Sequence, residues 1–230
     1  MRCIGVLGGM SWESTALYYR LMNEETKARL GGLHSARIVM HSVDFQDIET
    51  LQHAGDWDGA GDILCEAAVG LKRAGAEFLV IATNTMHKLA DRIERASGLP
   101  VLHIAEPTGA ALVTDGVKRV ALLGTRFTME EDFYRSYLER RFALGVTVPE
   151  ADDRAAIHRI IYEELCRGVV TEASQEAFAE CIGRLKQTGS EAVILGCTEI
   201  TMVVDPASSA LPVYDTTALH AKAAVARALS

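Results

Sequence analysis

Gly189-Ser190-Glu191-Ala192-Val193-Ile194-Leu195-Gly196-Cys197-Thr198-Glu199 runs from a glycine turn through a short apolar stretch into a polar triplet. Such a run reads as a buried strand bounded by turn residues. A related stretch, Gly75-Ala76-Glu77-Phe78-Leu79-Val80, stands 114 residues earlier. Leu7-Gly8 returns as Leu123-Gly124 at an offset of 116, and Leu99-Pro100-Val101 returns as Leu211-Pro212-Val213 at 112. Three landmarks in one order at nearly one offset point to two structurally equivalent halves. The expected division is residues 1–105 and 106–205, with 206–230 returning to pack on the first half.

Working outward, apolar runs predict strands at Cys3–Leu7, Arg37–Met40, Phe78–Ala82, Val101–Ile104, Arg119–Leu123, Val193–Gly196 and Val213–Tyr214. Helix-length segments lie between them at Ser14–Arg29, Trp57–Ala74, His87–Ala96, Glu130–Phe142, Ala155–Cys166, Ser174–Thr188 and Ala218–Leu229. Alternation of this kind gives an α/β fold of two pseudo-symmetric parallel-sheet domains. Open parallel sheets bind ligands beyond the carboxyl ends of their strands. An offset of 114 carries Cys197 onto Thr83, so a shared cleft is expected, with Thr83 on one wall and Cys197 on the other.

The bulk composition excludes more than it selects. The 230 residues are 49% hydrophobic and 23% charged, ordinary globular proportions that rule out disordered and low-complexity classes. A net charge of −8 argues against binding a nucleic-acid backbone, which calls for a basic footprint. No apolar run is long enough for a membrane span, and the start of the chain enters a strand without a signal-peptide layout. Five cysteines, Cys3, Cys65, Cys166, Cys181 and Cys197, include no C-x-x-C pair. A reduced, cytoplasmic setting is therefore expected. The seven histidines show no metal-ligand spacing, and no lysine carries a motif for a pyridoxal Schiff base, so neither metal nor other cofactor is expected.

Cys197 differs from the other cysteines, which lie inside predicted strands or helices as small hydrophobes. It follows Gly196, which would let the backbone turn tightly, and it opens a helix start, where the dipole would lower a thiol pKa. Thr198 and Glu199 can bond nearby backbone or a substrate ammonium. Thr83-Asn84-Thr85 offers hydroxyls, an amide and backbone N–H groups to a carboxylate, or else simply caps a helix. Gly8-Gly9-Met10-Ser11 lacks the spacing of a nucleotide loop, and its glycine pair suits the approach of a small carboxylate. Thr128-Met129-Glu130-Glu131 reads as a capping box. His87 either lines the cleft or packs.

With these motifs in view, the chain resembles the cofactor-independent aspartate/glutamate racemase family over essentially its whole length. The resemblance rests on Gly8-Gly9-Met10-Ser11, Ser42-Val43-Asp44-Phe45, Thr83-Asn84-Thr85-Met86-His87 and Gly196-Cys197-Thr198-Glu199. The last resembles the aspartate racemase branch, because Glu rather than His follows Cys-Thr. The resemblance implies a two-base racemisation, one thiol on each face of the amino acid, without pyridoxal phosphate or metal. It also implies substrate contacts from Met10, Gln52, Asn84, Thr85, Thr198 and Glu199. The chain departs from the pattern where the family has Cys-Asn-Thr and this sequence has Thr83-Asn84-Thr85. A subset with Thr there includes broad-specificity racemases.

The expected activity is therefore deprotonation of L-amino acids by Cys197, with reprotonation from the Thr83 side and an impaired D-to-L direction. Substrates would be Asp, Glu or an uncharged side chain such as that of homoserine, since Gln52 is neutral. Arg20, Lys88 and Arg126 are the candidate anchors for a second carboxylate. A hydantoin racemase, a malonate decarboxylase and a catalytically silent amino-acid binding protein are the alternatives. A small-molecule partner is expected, with monomer and homodimer both open.

Overall fold

A computed structural model describes all 230 residues. The chain divides into two compact units, Met1–Ile104 with His220–Ser230, and Ala105–Leu219. The first contains β1 (Ile4–Gly8), α1 (Trp12–Leu30), β2 (Ile38–Ser42), α2 (Phe45–Ala54), α3 (Trp57–Arg73), β3 (Phe78–Ile81) and α4 (Ala90–Ser97). The second contains α5 (Ala105–Thr114), β4 (Arg119–Gly124), α6 (Arg126–Glu130), α7 (Asp132–Phe142), β5 (Gly145–Thr147), α8 (Ala151–Glu163), α9 (Glu172–Gln187), β6 (Ala192–Gly196) and β7 (Val213–Asp215). The last helix, α10 (Thr216–Leu229), begins in the second unit and ends in the first.

Both sheets are parallel, in the orders β2-β1-β3 and β5-β4-β6-β7. Alternate residues of β1 and β3 serve opposite layers in the first unit. Leu7, Leu79 and Ile81 pack with Ile48, Leu64, Leu71 and Ile93, while Ile4, Val6, Phe78 and Val80 pack with Tyr18, Met22 and the α10 residues Ala221, Ala224 and Val225. A strand covered on both faces must be apolar at every position, so these runs show no alternation. In the second unit, Ala121, Leu123, Val193 and Leu195 pack against Ile157, Ile161, Phe178 and Ile182.

The repeat is visible bond by bond. Leu79 N–H donates to the Pro100 carbonyl at 3.0 Å, and Val193 N–H donates to the Pro212 carbonyl at 2.9 Å. Glu77 N–H reaches the Cys3 carbonyl at 2.9 Å, and Glu191 N–H reaches the Arg119 carbonyl at 2.8 Å. Each of these glutamates also returns its carboxylate to the partner strand, to Cys3 N–H at 2.8 Å and to Lys118 N–H at 2.7 Å. The turns before them match as well, with φ of 96° at Gly75 and 98° at Gly189.

Several elements differ from the sequence reading. The expected strand Val101–Ile104 is a single bridge between Leu79 and Val101. Beyond it the Ile104 N–H is captured by the His87 Nε2 at 3.1 Å, and α5 starts at the next residue. Residues 206–219 remain with the second unit, because β7 pairs with β6. The capping box placed at Thr128 is not formed. Thr125 is the N-cap, its Oγ1 accepting from Thr128 N–H, and extended backbone at Glu131 separates α6 from α7. The helices α2 and α5 and the three-residue β5 were not anticipated; β5 is too short to carry a period.

Candidate active site

The strand ends singled out by the repeat are built alike and equipped differently. Beyond β3 the chain bends through Thr83 and Asn84 into a 3-10 helix over Thr85–Leu89. Beyond β6, Cys197 leads into a 3-10 helix over Thr198–Met202. Asn84 and Cys197 hold the N-cap positions, and neither side chain makes a capping bond. Thr83 and Cys197 are both partly buried.

At the second end, Gly196 does not adopt the left-handed backbone expected of a tight turn. Its role is close approach: a Cβ there would lie 2.8 Å from the Leu123 carbonyl oxygen. The Cys197 sulfur stands 2.9 Å from Glu199 Oε2, and the thiol donates to that carboxylate. Burial pushes the thiol well above its ordinary pKa, and the charge of Glu199 adds to the effect, with Cys166 nearby contributing in the same direction. This reverses the expected lowering. A five-residue 3-10 turn has little dipole to offer, and a carboxylate at hydrogen-bond distance outweighs it. The resting group is a protonated thiol with a proton acceptor against it.

Around this dyad, Thr198 Oγ1 lies 3.1 Å from Thr217 Oγ1, and Thr216 Oγ1 donates to the Leu195 carbonyl at 2.8 Å. Thr216 and Thr217 follow β7, and sequence reading missed them. Their signal was a polar pair directly after a short strand, as at Thr83-Asn84-Thr85.

At the first end, a histidine holds the backbone. His87 is fully buried; its Nε2 accepts from Ile104 N–H, so the proton sits on Nδ1, which donates to the Thr83 carbonyl at 2.8 Å. Both ring nitrogens are therefore committed, and His87 is a clamp rather than a cleft-lining group. Burial lowers its pKa to about 4. His220 is similarly spent, between the Tyr18 hydroxyl and the Leu102 carbonyl, each at 2.8 Å, and burial lowers it to about 3. His103 stacks edge-on against His87 at 4.7 Å and is also held neutral by burial.

The remaining predicted residues fall into place unevenly. Met10, Asn84 and Thr85 are buried. In the loop after β1, Gly9 has φ of 96° and a Cβ would come within 2.2 Å of the Val43 carbonyl oxygen, so only glycine fits. Its N–H is already taken by Thr15 Oγ1 at 2.8 Å, which removes one donor the glycine pair was expected to offer a carboxylate. Gln52 is 2% exposed on α2, and its Nε2 has no hydrogen-bond partner in the chain. A buried amide donor without a partner costs about 1–3 kcal/mol. Of the candidate cationic anchors, Lys88 sits over the Trp57 ring at 3.8 Å, Arg126 lies over Phe127, and Arg20 is exposed beside Glu24. No three His, Cys, Asp or Glu side chains gather as a metal site, and no helix is long and apolar enough to cross a membrane.

Comparisons with known proteins agree on one lineage. The sequence model of the Asp/Glu/Hydantoin racemase family matches residues 7–224. The broad specificity amino-acid racemase RacX of Bacillus subtilis (strain 168) is 24% identical over 99% of this chain and 98% of its own. A Yersinia pestis structure named for the Asp/Glu racemases is 51% identical with a TM-score of 0.94, covering 100% of both chains. An aspartate racemase homologue from Pyrococcus horikoshii OT3 is 32% identical with a TM-score of 0.86, again over 100% of both.

Proposed function

This chain belongs to the Asp/Glu/Hydantoin racemase family, and we propose that it is an amino-acid racemase that needs no pyridoxal phosphate and acts on L-amino acids. The observation that carries the reading is the Cys197 thiol bonded to Glu199 at a strand end whose repeat mate presents Thr83. Racemisation requires one group to remove the α-proton and another to return a proton on the opposite face. The repeat supplies a candidate for each role, the Cys197 thiol and the Thr83 hydroxyl.

In this reading Cys197 passes its proton to Glu199 as substrate binds, and the thiolate then abstracts the α-proton of the L-enantiomer. Glu199 thus acts on the sulfur, in place of the substrate contact assigned from sequence. Reprotonation comes from the Thr83 side, from its hydroxyl or a water held there. Thr83 is a far weaker acid than a thiol, so the reverse direction is slow. Backbone N–H groups and the hydroxyls of Thr85 and Thr198 would receive the substrate carboxylate and the charge that develops on it. Met10, Asn84 and Gln52 complete the proposed substrate contacts, and the open Gln52 amide suits an oxygen on the side chain.

The test is exchange in deuterated water. L-Asp, L-Glu or L-homoserine should gain α-deuterium and yield the D-enantiomer. Absence of exchange across both enantiomers of the panel, with binding retained, would instead identify a silent amino-acid binding protein.

A further inference from the structure

The Cys197 sulfur has a neighbour that the proposed reaction does not use. Cys166 lies in a 3-10 turn, Leu165–Arg167, between α8 and α9, and that turn packs against the 3-10 helix Thr198–Met202 that follows Cys197. Both cysteines pack on one apolar cluster that includes Leu165, Ile200 and Val203, and both are partly exposed. The remaining cysteines are placed otherwise. Cys3 and Cys181 are buried, and Cys65 packs into the first unit. We propose that Cys166 and Cys197 are a redox pair: a peroxide oxidises Cys197, and Cys166 closes a disulfide on it that silences this strand end reversibly.

The sulfurs are near enough for the charge of Cys166 to push the Cys197 pKa up, more than the Glu199 hydrogen bond does. A disulfide requires Cα atoms about 4.4–6.8 Å apart. The Cys166 turn can supply the last adjustment. It is held by single-turn bonds, Arg167 N–H to the Glu164 carbonyl and Gly168 N–H to the Leu165 carbonyl, each at 2.9 Å. Gly168 closes it in left-handed backbone, with φ of 71°. A segment of one turn opens at less cost than the middle of a helix.

The chemistry needs no reagent beyond the peroxide. Cys197 transfers its proton to Glu199, the acceptor at 2.9 Å, and the thiolate attacks one oxygen of hydrogen peroxide. The S–O bond forms, the O–O bond breaks, and the departing hydroxide takes the proton from Glu199 as water. The Cys166 thiol then attacks the resulting sulfenic acid. The S–S bond forms, the S–O bond breaks, and the Cys166 proton leaves in a second water. Two thiols thus give two electrons to one peroxide. Without the second thiol, excess peroxide would carry the sulfenic acid on to a sulfinic acid, which thiols do not reduce. Cys166 thereby protects Cys197 as well as silencing it.

The loss of activity rests on the proposed role of Cys197, whereas the pairing does not, so the two are read separately. After excess hydrogen peroxide, the mass of the full chain should fall by two hydrogens, and the tryptic peptides Ile160–Arg167 and Gln187–Lys222 should appear linked. α-Deuterium exchange should fall at least about tenfold and return with dithiothreitol. Cys166→Ser and Cys166→Ala should keep the untreated rate. After peroxide and dithiothreitol they should recover less than about one-tenth of it, with Cys197 now a sulfinic acid. Unlinked peptides, Cys197 joined to any cysteine other than Cys166, or full recovery by both variants would each overturn the proposal. Linked peptides in a chain that exchanges no deuterium when reduced would overturn the racemase reading alone.

Discussion

The two strand ends follow one plan, a buried strand running into a 3-10 turn, and differ in what they present. Beyond β6 stands a thiol bonded to a carboxylate; beyond β3 stands a hydroxyl whose own carbonyl is gripped by a buried histidine. The first arrangement holds a protonated thiol against a carboxylate that can accept from it, at 2.9 Å. The second keeps a weak acid in a fixed place. Duplication thus supplies two positions on one design, and the chemistry is set by two or three side chains at each.

The sharpest way to break this comparison is to remove the thiol. Cys197→Ser should reduce α-deuterium incorporation by about 10⁴-fold, the upper range for a lost general base. Residual exchange near the wild-type rate would show that the β6 end is not the base.

The first end is tested through its histidine. His87 is neutral when folded, with its pKa lowered to about 4 by burial, while the unfolded chain titrates near 6.5. The unfolded state therefore binds the extra proton first as pH falls. Stability is fully present above pH 6.5 and declines toward pH 4, by about 3 kcal/mol from this group. His220, lowered to about 3, extends the decline. Urea denaturation between pH 7 and 4 should show the loss, and His87→Asn should flatten it. A flat wild-type profile would contradict the buried clamp.

Glu199→Gln separates two roles at the β6 end. Removing the charge should lower the Cys197 pKa, since Glu199 helps to raise it. If Glu199 only perturbed the thiol, activity would gain at lower pH. As the proton acceptor, its loss should instead cut kcat by about 10²-fold across the profile.

The smallest expected effect comes from making the ends alike. Thr83→Cys should raise the D-to-L rate relative to L-to-D by about tenfold, read from initial rates with each enantiomer. An unchanged ratio would mean the asymmetry lies elsewhere.

Reading from residues to elements worked where a local pattern carries the information. Apolar runs, glycine turns and their offsets located β1, β3, β4 and β6, because a strand buried on both faces must be apolar throughout. The pattern failed at Val101–Ile104, where a distant imidazole takes the Ile104 N–H, and at Thr128, where Thr125 outcompetes it as the cap. Both depend on which of two chemically able groups arrives first, and no window of sequence states that.

The site divides in the same way. The repeat alone distinguished Cys197 from four other cysteines and showed Thr83 as its mate, because an internal duplication is written in residue order. Whether His87 lines a cavity or clamps a carbonyl, and whether the Cys197 thiol is acidified or held protonated, only the tertiary structure decided. The reason is that a proton's affinity depends on burial and on the nearest charge. A helix start two residues from a glutamate reads as acidifying along the chain; folded, burial of the sulfur and then the charge of Glu199 reverse the sign.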